Sequence, residues 1–376
     1  MKYQSPLIAY IDSGALEHNI NVVKQKFVGK EIILPVKANA YGHGSVLVSR
    51  IAQDCGVNFF ALARINEALE LRNAGICGQM LILGAEWNPD NIRLAAEYNI
   101  GLTVSSIEHL EVLEKIAEQE NKILPVHVKL NTGMFRLGVD YENVELFAKK
   151  LSACKKLHVV SAFTHFAQSD EDINVTLEHI KKFGESLEIL KANDVEPDFY
   201  HLCNSGGVEN LSNDINKIIV DSSAVRPGMM VYGYSQVIPG CQKTELIPVM
   251  NLCSRVVHTR SVKKGTPVGY GATYVAAEDG KLATLALGYG DGFPRFLSGR
   301  FSVRINGQDY QQCGRISMDL TVINADDNIK VGDEAWIFGS PKYAKMNAED
   351  LAEICGTISY EITTSITSRV ERCILK

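Results

Sequence analysis

The chain has 376 residues, 46% hydrophobic and 22% charged, which describes a globular protein too long for one ordinary core and so points to two domains. A formal charge of -6 with no run of lysine and arginine excludes a nucleic-acid surface. No segment approaches the ~20 apolar residues of a membrane helix, and Met1 to Pro6 lacks the apolar stretch of a signal peptide, so a cytoplasmic protein away from the membrane is expected.

Between about residues 30 and 230, apolar runs alternate with amphipathic stretches. Strands are predicted at 31–36, 57–62, 79–84, 100–104, 124–130, 157–165, 198–203 and 216–220. Ser105 with Glu108 makes a capping box, followed by Leu110, Leu113 and Ala117 at helical spacing. Gly75 closes a helix over Glu67 to Ala74, and Asp172 to Ala192 is another. Eight strand–helix alternations read as an α/β fold, a (β/α)8 TIM-like barrel, which needs roughly 200–250 residues. A doubly wound sheet is the alternative. Pro35 removes a ladder donor, so a bulge or a shortened pairing is expected there.

From about residue 245 the pattern changes to short strands: Val256 to His258, Leu282 to Leu287, Phe301 to Ile305 and Glu334 to Phe338, with Asn306-Gly307 as a hairpin signal. Helical pattern returns near 348–366, and Arg369 to Leu375 reads as a closing strand. The expected division is therefore a barrel over 1–245 and a smaller, mainly-β C-terminal domain over 246–376. Leu7 to Ile11 has no barrel role and is free to pair with the β domain. The 9 cysteines, scattered from Cys55 to Cys373 with no Cys-x-x-Cys pair, read as reduced thiols rather than disulfides or a zinc site. His201 and Cys203 are near neighbours, and a packed pair is expected there rather than a metal site.

In such a barrel the active groups stand at the C-terminal ends of the strands. Lys37, Arg136, His165, Asn204, Ser205 and Arg226 all fall just after predicted strands. Lys37 ends an apolar run, where desolvation favours the neutral amine able to form a Schiff base with a carbonyl cofactor. Tyr41 follows four residues later and can hold a phosphate. Asn204-Ser205-Gly206-Gly207 and Arg226-Pro227-Gly228-Met229 offer backbone donors for the same phosphate. Taken singly, each has a plainer reading: a snorkelling lysine, a core histidine, a glycine turn. A sugar-phosphate barrel enzyme would explain the phosphate loops but not the pairing of Lys37 with Tyr41.

The string Val36-Lys37-Ala38-Asn39-Ala40-Tyr41-Gly42-His43-Gly44, with Val225-Arg226-Pro227-Gly228-Met229 and Val268-Gly269-Tyr270-Gly271-Ala272-Thr273-Tyr274, resembles the alanine racemase family. The resemblance runs from Lys37 to Tyr360, in the family's order. It implies pyridoxal 5'-phosphate on Lys37, with Lys37 and Tyr270 as opposed bases on the two faces of Cα, interconverting L-alanine and D-alanine. D-alanine production would serve peptidoglycan. Arg226 corresponds to the family arginine facing the pyridine nitrogen. An arginine does not give up its proton, so that nitrogen stays unprotonated and the ring is a weak electron sink. That favours returning the proton to Cα over decarboxylation or transamination.

By the same resemblance His165 links Tyr270 to Arg226, and His201 steadies Arg226. Arg136 touches the cofactor and the substrate carboxylate, and Lys129 corresponds to a lysine that some relatives carbamylate. Met318, with Asp319 beside it, lines the substrate side in Gly314-Arg315-Ile316-Ser317-Met318-Asp319, where Ser317 stands in place of the cysteine of most relatives. Tyr289, in a string reaching Arg295, narrows the entrance together with Tyr360, which also reaches the phosphate. The β domain of one subunit would complete the barrel mouth of the other, making a homodimer with shared sites. No metal is implied. A racemase of broader specificity, kept open by Ser317, and a non-catalytic cofactor-binding protein are the alternatives.

Overall fold

The computed structural model describes residues 5–211 and 222–375. The chain opens with β1 (Leu7–Asp12) and then builds a closed barrel. Its strands are β2 (Glu31–Pro35), β3 (Phe59–Leu62), β4 (Gln79–Ile82), β5 (Gly101–Val104) and β6 (Leu124–Asn131). After the short β7 (Val139–Asp140) come β8 (Leu157–Phe163), β9 (Phe199–His201) and β10 (Ser222–Val225). The order β5-β4-β3-β2-β10-β9-β8-β6, with β5 paired back to β6, closes eight parallel strands. That is the predicted TIM-like barrel and not an open doubly wound sheet. The predicted strand at 216–220 lies outside the described residues, and β10 completes the barrel.

Local sequence accounts for most boundaries. Asp172 caps the helix Ile173–Ala192 by accepting from Asn174 N at 2.8 Å. The cap predicted at Ser105 belongs instead to Ser106, whose extended backbone lets its Oγ accept from His109 N at 3.1 Å, while Ser105 is buried at the end of β5. Pro35 produces no bulge against β3. Pairing runs in register to Pro35–Ala61, whereas β10 covers β2 only at Glu31 and Ile32. The pairing is shortened on the side where the proline has no N–H to give.

The remaining strands are β11 (Met250–Val262), β12 (Pro267–Val268), β13 (Tyr274–Val275), β14 (Gly280–Leu285), β15 (Ser302–Ile305), β16 (Gln308–Cys313), β17 (Thr321–Ala325), β18 (Glu334–Phe338) and β19 (Glu371–Leu375). The sequence pattern found only three residues of β11 and missed β16 and β17. β11 pairs with β1 and β18 over its first half and with β14 from Val256 onward. β1 lies between β11 and β19, so the first strand of the chain belongs to the second sheet. Asn306 and Gly307, both left-handed, make the β15–β16 hairpin as expected. The predicted helix at 348–366 is two helices, Ala348–Cys355 and Ser359–Ser365, separated at Gly356 with φ +68°.

The second of those helices packs back on the barrel. A Cβ at Gly42 would lie 2.0 Å from the Thr363 carbonyl oxygen, and Gly42 has φ +87°. Gly42→Ala is therefore expected to cost about 3 kcal/mol or more, from clash and backbone strain together. Denaturant unfolding of the variant beside wild type checks this, and equal midpoints would show that the two segments do not meet so closely.

Candidate active site

A cavity of about 1090 Å³ opens at the C-terminal ends of the barrel strands. Lys37, Tyr41, Lys129, Arg136, His165, Asn204, Ser205, Arg226, Gly228 and Tyr360 all line it. Met229 is buried just behind, and His201 stands under Arg226. Tyr270, Tyr289, Met318, Asp319 and Arg295 do not line the cavity of their own chain.

Lys37 follows β2 directly and begins an unusual turn. Ala38, Asn39, Ala40 and Tyr41 all have φ between +51° and +55°, a full left-handed turn. Such backbone costs roughly 1–2 kcal/mol for each ordinary residue. It is closed by Gly42 N donating to Ala38 O at 3.0 Å and by Asn39 Oδ1 accepting from Ser45 N at 2.8 Å. The turn sets Lys37 and Tyr41 on one side, with Lys37 Nζ 5.9 Å from the Tyr41 ring centre. Burial, then the charges of Arg136 and Arg226, lowers the Lys37 pKa, and Glu67 opposes that shift.

Arg226 is 4% exposed. It donates to the carbonyl oxygens of His201 at 2.7 Å, Thr164 at 2.5 Å and Leu202 at 3.0 Å, and it meets Nδ1 of His201. A guanidinium has only donors, so His201 Nδ1 must accept. The His201 proton therefore sits on Nε2 and is donated to Ser161 Oγ at 2.8 Å, leaving the Ser161 hydroxyl to donate to His127 Nδ1 at 2.6 Å. Burial holds both histidines neutral: His201 well below its ordinary value and His127 at about 3. Phe163 stacks on His201 at 4.7 Å and packs 5.3 Å below the Arg226 carbon. Burial lowers Arg226 to about 10, which still leaves it charged at neutral pH. Sequence reasoning found His201 but missed Ser161, His127 and Phe163, because nothing local marks a strand residue as part of a buried line.

Beside Tyr41 is a polar cup. Ser205 Oγ accepts from Gly228 N at 2.8 Å and Met230 N at 3.3 Å. Asn204 Oδ1 accepts from Gly207 N and Ser169 Oγ, fixing that loop. A Cβ on Gly228 would sit 3.2 Å from Tyr41 Oη and 3.7 Å from Ser205 Oγ, so any side chain there would intrude on the cup. Tyr360 meets Tyr41 edge-on at 5.7 Å. Burial pushes both phenol pKa values up, which keeps them neutral donors. An amine, a set of neutral donors and a buried cation, all on one cavity, fit pyridoxal 5'-phosphate. Among the described residues no cluster of three or more His, Cys, Asp or Glu could hold a metal.

Residues 11–236 match the family described as alanine racemase, N-terminal domain, and residues 249–374 match alanine racemase, C-terminal domain. The chain belongs to the alanine racemase family. It is 36% identical to the alanine racemase of Mannheimia succiniciproducens over 368 residues, covering 97% of this chain and 98% of that one. The crystal structure of alanine racemase from D-cycloserine-producing Streptomyces lavendulae superposes with a TM-score of 0.90 at 31% identity, over 100% of this chain and 98% of that one. A histidine racemase from Leuconostoc mesenteroides is equally similar in fold, with a TM-score of 0.90 at 29% identity over the whole of both chains.

The other family positions form a separate, exposed face. Tyr270 is 70% exposed, and Tyr289 and Met318 are exposed as well. Their loops are tied together: Tyr289 N donates to Ser317 O and Gly290 N to Met318 O. Ser317 turns its hydroxyl onto its own loop, donating to Leu320 O at 2.7 Å and accepting from Leu320 N at 3.1 Å. Asp319 pairs with Arg369 at 2.8 Å.

Lys129 is 7% exposed and has its pKa pushed down to about 7 by burial and by Arg136, Arg226 and Lys37. A neutral amine is the form that adds carbon dioxide. A carbamate signal at Lys129 from 13C-bicarbonate should therefore rise as pH passes ~7, read by 13C NMR. Its absence at every pH would mean that Lys129 remains an amine.

Proposed function

We propose that this protein is an isomerase that interconverts L-alanine and D-alanine with pyridoxal 5'-phosphate, with its catalytic unit a homodimer. The observation that carries the reading is the convergence of Lys37, the Ser205–Gly228–Tyr41 cup and the buried Arg226 on one cavity at the strand ends. When bound there, the cofactor supplies an electron-withdrawing ring that makes the substrate Cα proton labile.

Each protein group then has a task. Lys37 Nζ takes or gives the Cα proton on one face, a task suited to an amine whose pKa burial has lowered. Arg136 supplies a cation for the substrate carboxylate. Arg226, charged and held by neutral acceptors, would offer the ring nitrogen a donor without giving it a proton. His165, held neutral by burial and by Arg226, connects that cation to the second base. The second base is Tyr270 Oη of the partner subunit, brought to the opposite face of Cα. Tyr270 is too exposed in a lone chain to be sheltered from water, and its loop lies against Arg315 in the loop that carries Met318, which with Tyr289 would narrow the same mouth. On this reading the part before about residue 245 holds most of the cofactor's contacts, and the part after it adds Tyr360 to the same cavity while offering Tyr270 and Met318 to the partner. Nothing in the described residues is a helix long and apolar enough to cross a membrane. A cytoplasmic supply of D-alanine for peptidoglycan is the setting that this reading implies.

A broader racemase is the second reading, favoured by the fold likeness to a histidine racemase. The inward turn of the Ser317 hydroxyl argues against a pocket opened by that residue.

Two outcomes test these roles. Lys37→Ala and Tyr270→Phe should each lower the turnover number for alanine by about 10²–10⁴-fold. Mixing the two inactive variants should restore up to about a quarter of wild-type activity, because mixed dimers carry one intact site with Lys37 and Tyr270 from different chains. No recovery after exchange of subunits would place both bases in a single chain. Incubation of wild type with each L-amino acid in deuterated water, followed by chiral separation, should give deuterated D-alanine in excess over every other product. Faster exchange of a larger side chain would favour the broader racemase.

A further inference from the structure

The left-handed turn from Ala38 to Tyr41 carries no glycine, so some group outside it must hold it in place. The Glu67 carboxylate reaches it from the first turn of the helix Ile65–Asn73. Oε1 accepts from Ala38 N at 2.7 Å, and Oε2 accepts from Ala63 N at 2.7 Å and Arg64 N at 3.1 Å. One carboxylate thus ties the residue after Lys37, at the end of β2, to the residues after β3. Both Lys37 and Ala63 line the cavity. At the other end of the turn, Gly42 is wedged against the Thr363 carbonyl, and Arg372 Nε donates to the Gly42 oxygen at 3.0 Å. The turn is pinned at both ends, and the pin beside the lysine is an anion.

We propose that Glu67 is a positioning residue for the cofactor: its carboxylate fixes the left-handed turn that sets the spacing between the Lys37 amine and the Tyr41 hydroxyl, and places a negative charge beside the amine. The proposal rests on the reading of Lys37 and Tyr41 as the cofactor's two anchors. The electrostatics agree in sign. Arg136 and Arg226 lower the Lys37 pKa and Glu67 raises it, so the carboxylate limits how far these two cations and burial depress the amine. A glutamine in its place keeps one acceptor for Ala38 but turns an N–H2 group toward the N–H groups of Ala63 and Arg64, and it removes the charge. An aspartate keeps the charge and draws the acceptors back by one methylene.

The test uses the full-length chain, wild type, E67Q and E67D, freed of cofactor. The pH dependence of Lys37 acylation, read by peptide mass spectrometry, gives its ionisation midpoint. Equilibrium dialysis with pyridoxal 5'-phosphate gives the dissociation constant. E67Q should lower the Lys37 midpoint by about one pH unit and weaken cofactor binding about tenfold or more, since the bonds to Ala63 N and Arg64 N are lost and the one kept to Ala38 N is no longer charge-assisted. E67D should weaken binding while leaving the midpoint near wild type, a split that simple loss of stability does not produce. Wild type that binds the cofactor, with E67Q unchanged in both quantities, would overturn the proposal alone. If E67Q does not fold, unchanged cofactor affinity in E67D overturns it. Wild type that fails to bind would overturn the cofactor reading and this proposal with it.

Discussion

A guanidinium enclosed by neutral oxygens at the end of a β-barrel governs this site. Arg226 is buried, yet its partners are the carbonyl oxygens of His201, Thr164 and Leu202 and a histidine nitrogen. A carboxylate partner would have cancelled the charge. Carbonyl oxygens satisfy the N–H groups and leave the positive charge to act on its surroundings. Lys37, Lys129, His165 and His201 all have their pKa lowered in part by it. One placement therefore lowers the pKa of two lysines, helps keep two histidines neutral, and leaves at the cavity a cation that does not release its proton.

The support for Arg226 is directional. Because the arginine can only donate, each hydrogen bond behind it has a fixed sense, from Arg226 through His201 and Ser161 to His127. Phe163 closes this line off from the side. The opposite wall is built by the C-terminal part of the chain, whose helix Ser359–Ser365 delivers Tyr360 against Tyr41 and blocks the space beside Gly42. Each chain thus completes its own cofactor cup while presenting Tyr270 and Met318 outward. The two-domain order places the cup and Tyr270 on different surfaces of one chain.

The barrel was legible in the sequence because its strands read as apolar runs, so β2 to β6, β8 and β9 fall within about two residues of expectation, while the two-residue β7 was not foreseen. The second sheet was less so. β11 breaks its apolar pattern with Arg255, His258 and Arg260, and β16 reads Gln-Asp-Tyr-Gln-Gln-Cys, which has no apolar alternation to find. The helical pattern near 348–366 did not show its break at Gly356, whose left-handed backbone ends one helix and frees the next to present Tyr360. Among site residues, those in glycine-rich strings after strands were visible. Glu67 was read only as a helix residue, since its bond to Ala38 spans 29 positions. The left-handed turn was hidden because only Asn39 among its four residues favours that conformation.

The protonation state of the ring nitrogen decides the central claim most directly. With pyridoxal 5'-phosphate labelled at that nitrogen with 15N and bound to the protein, the NMR shift should lie in the range of an unprotonated pyridine and stay there as pH is lowered from about 9 to 6, because Arg226 keeps its own proton. A shift typical of a pyridinium at neutral pH would contradict the account, since the cation at Arg226 would then not be facing that atom.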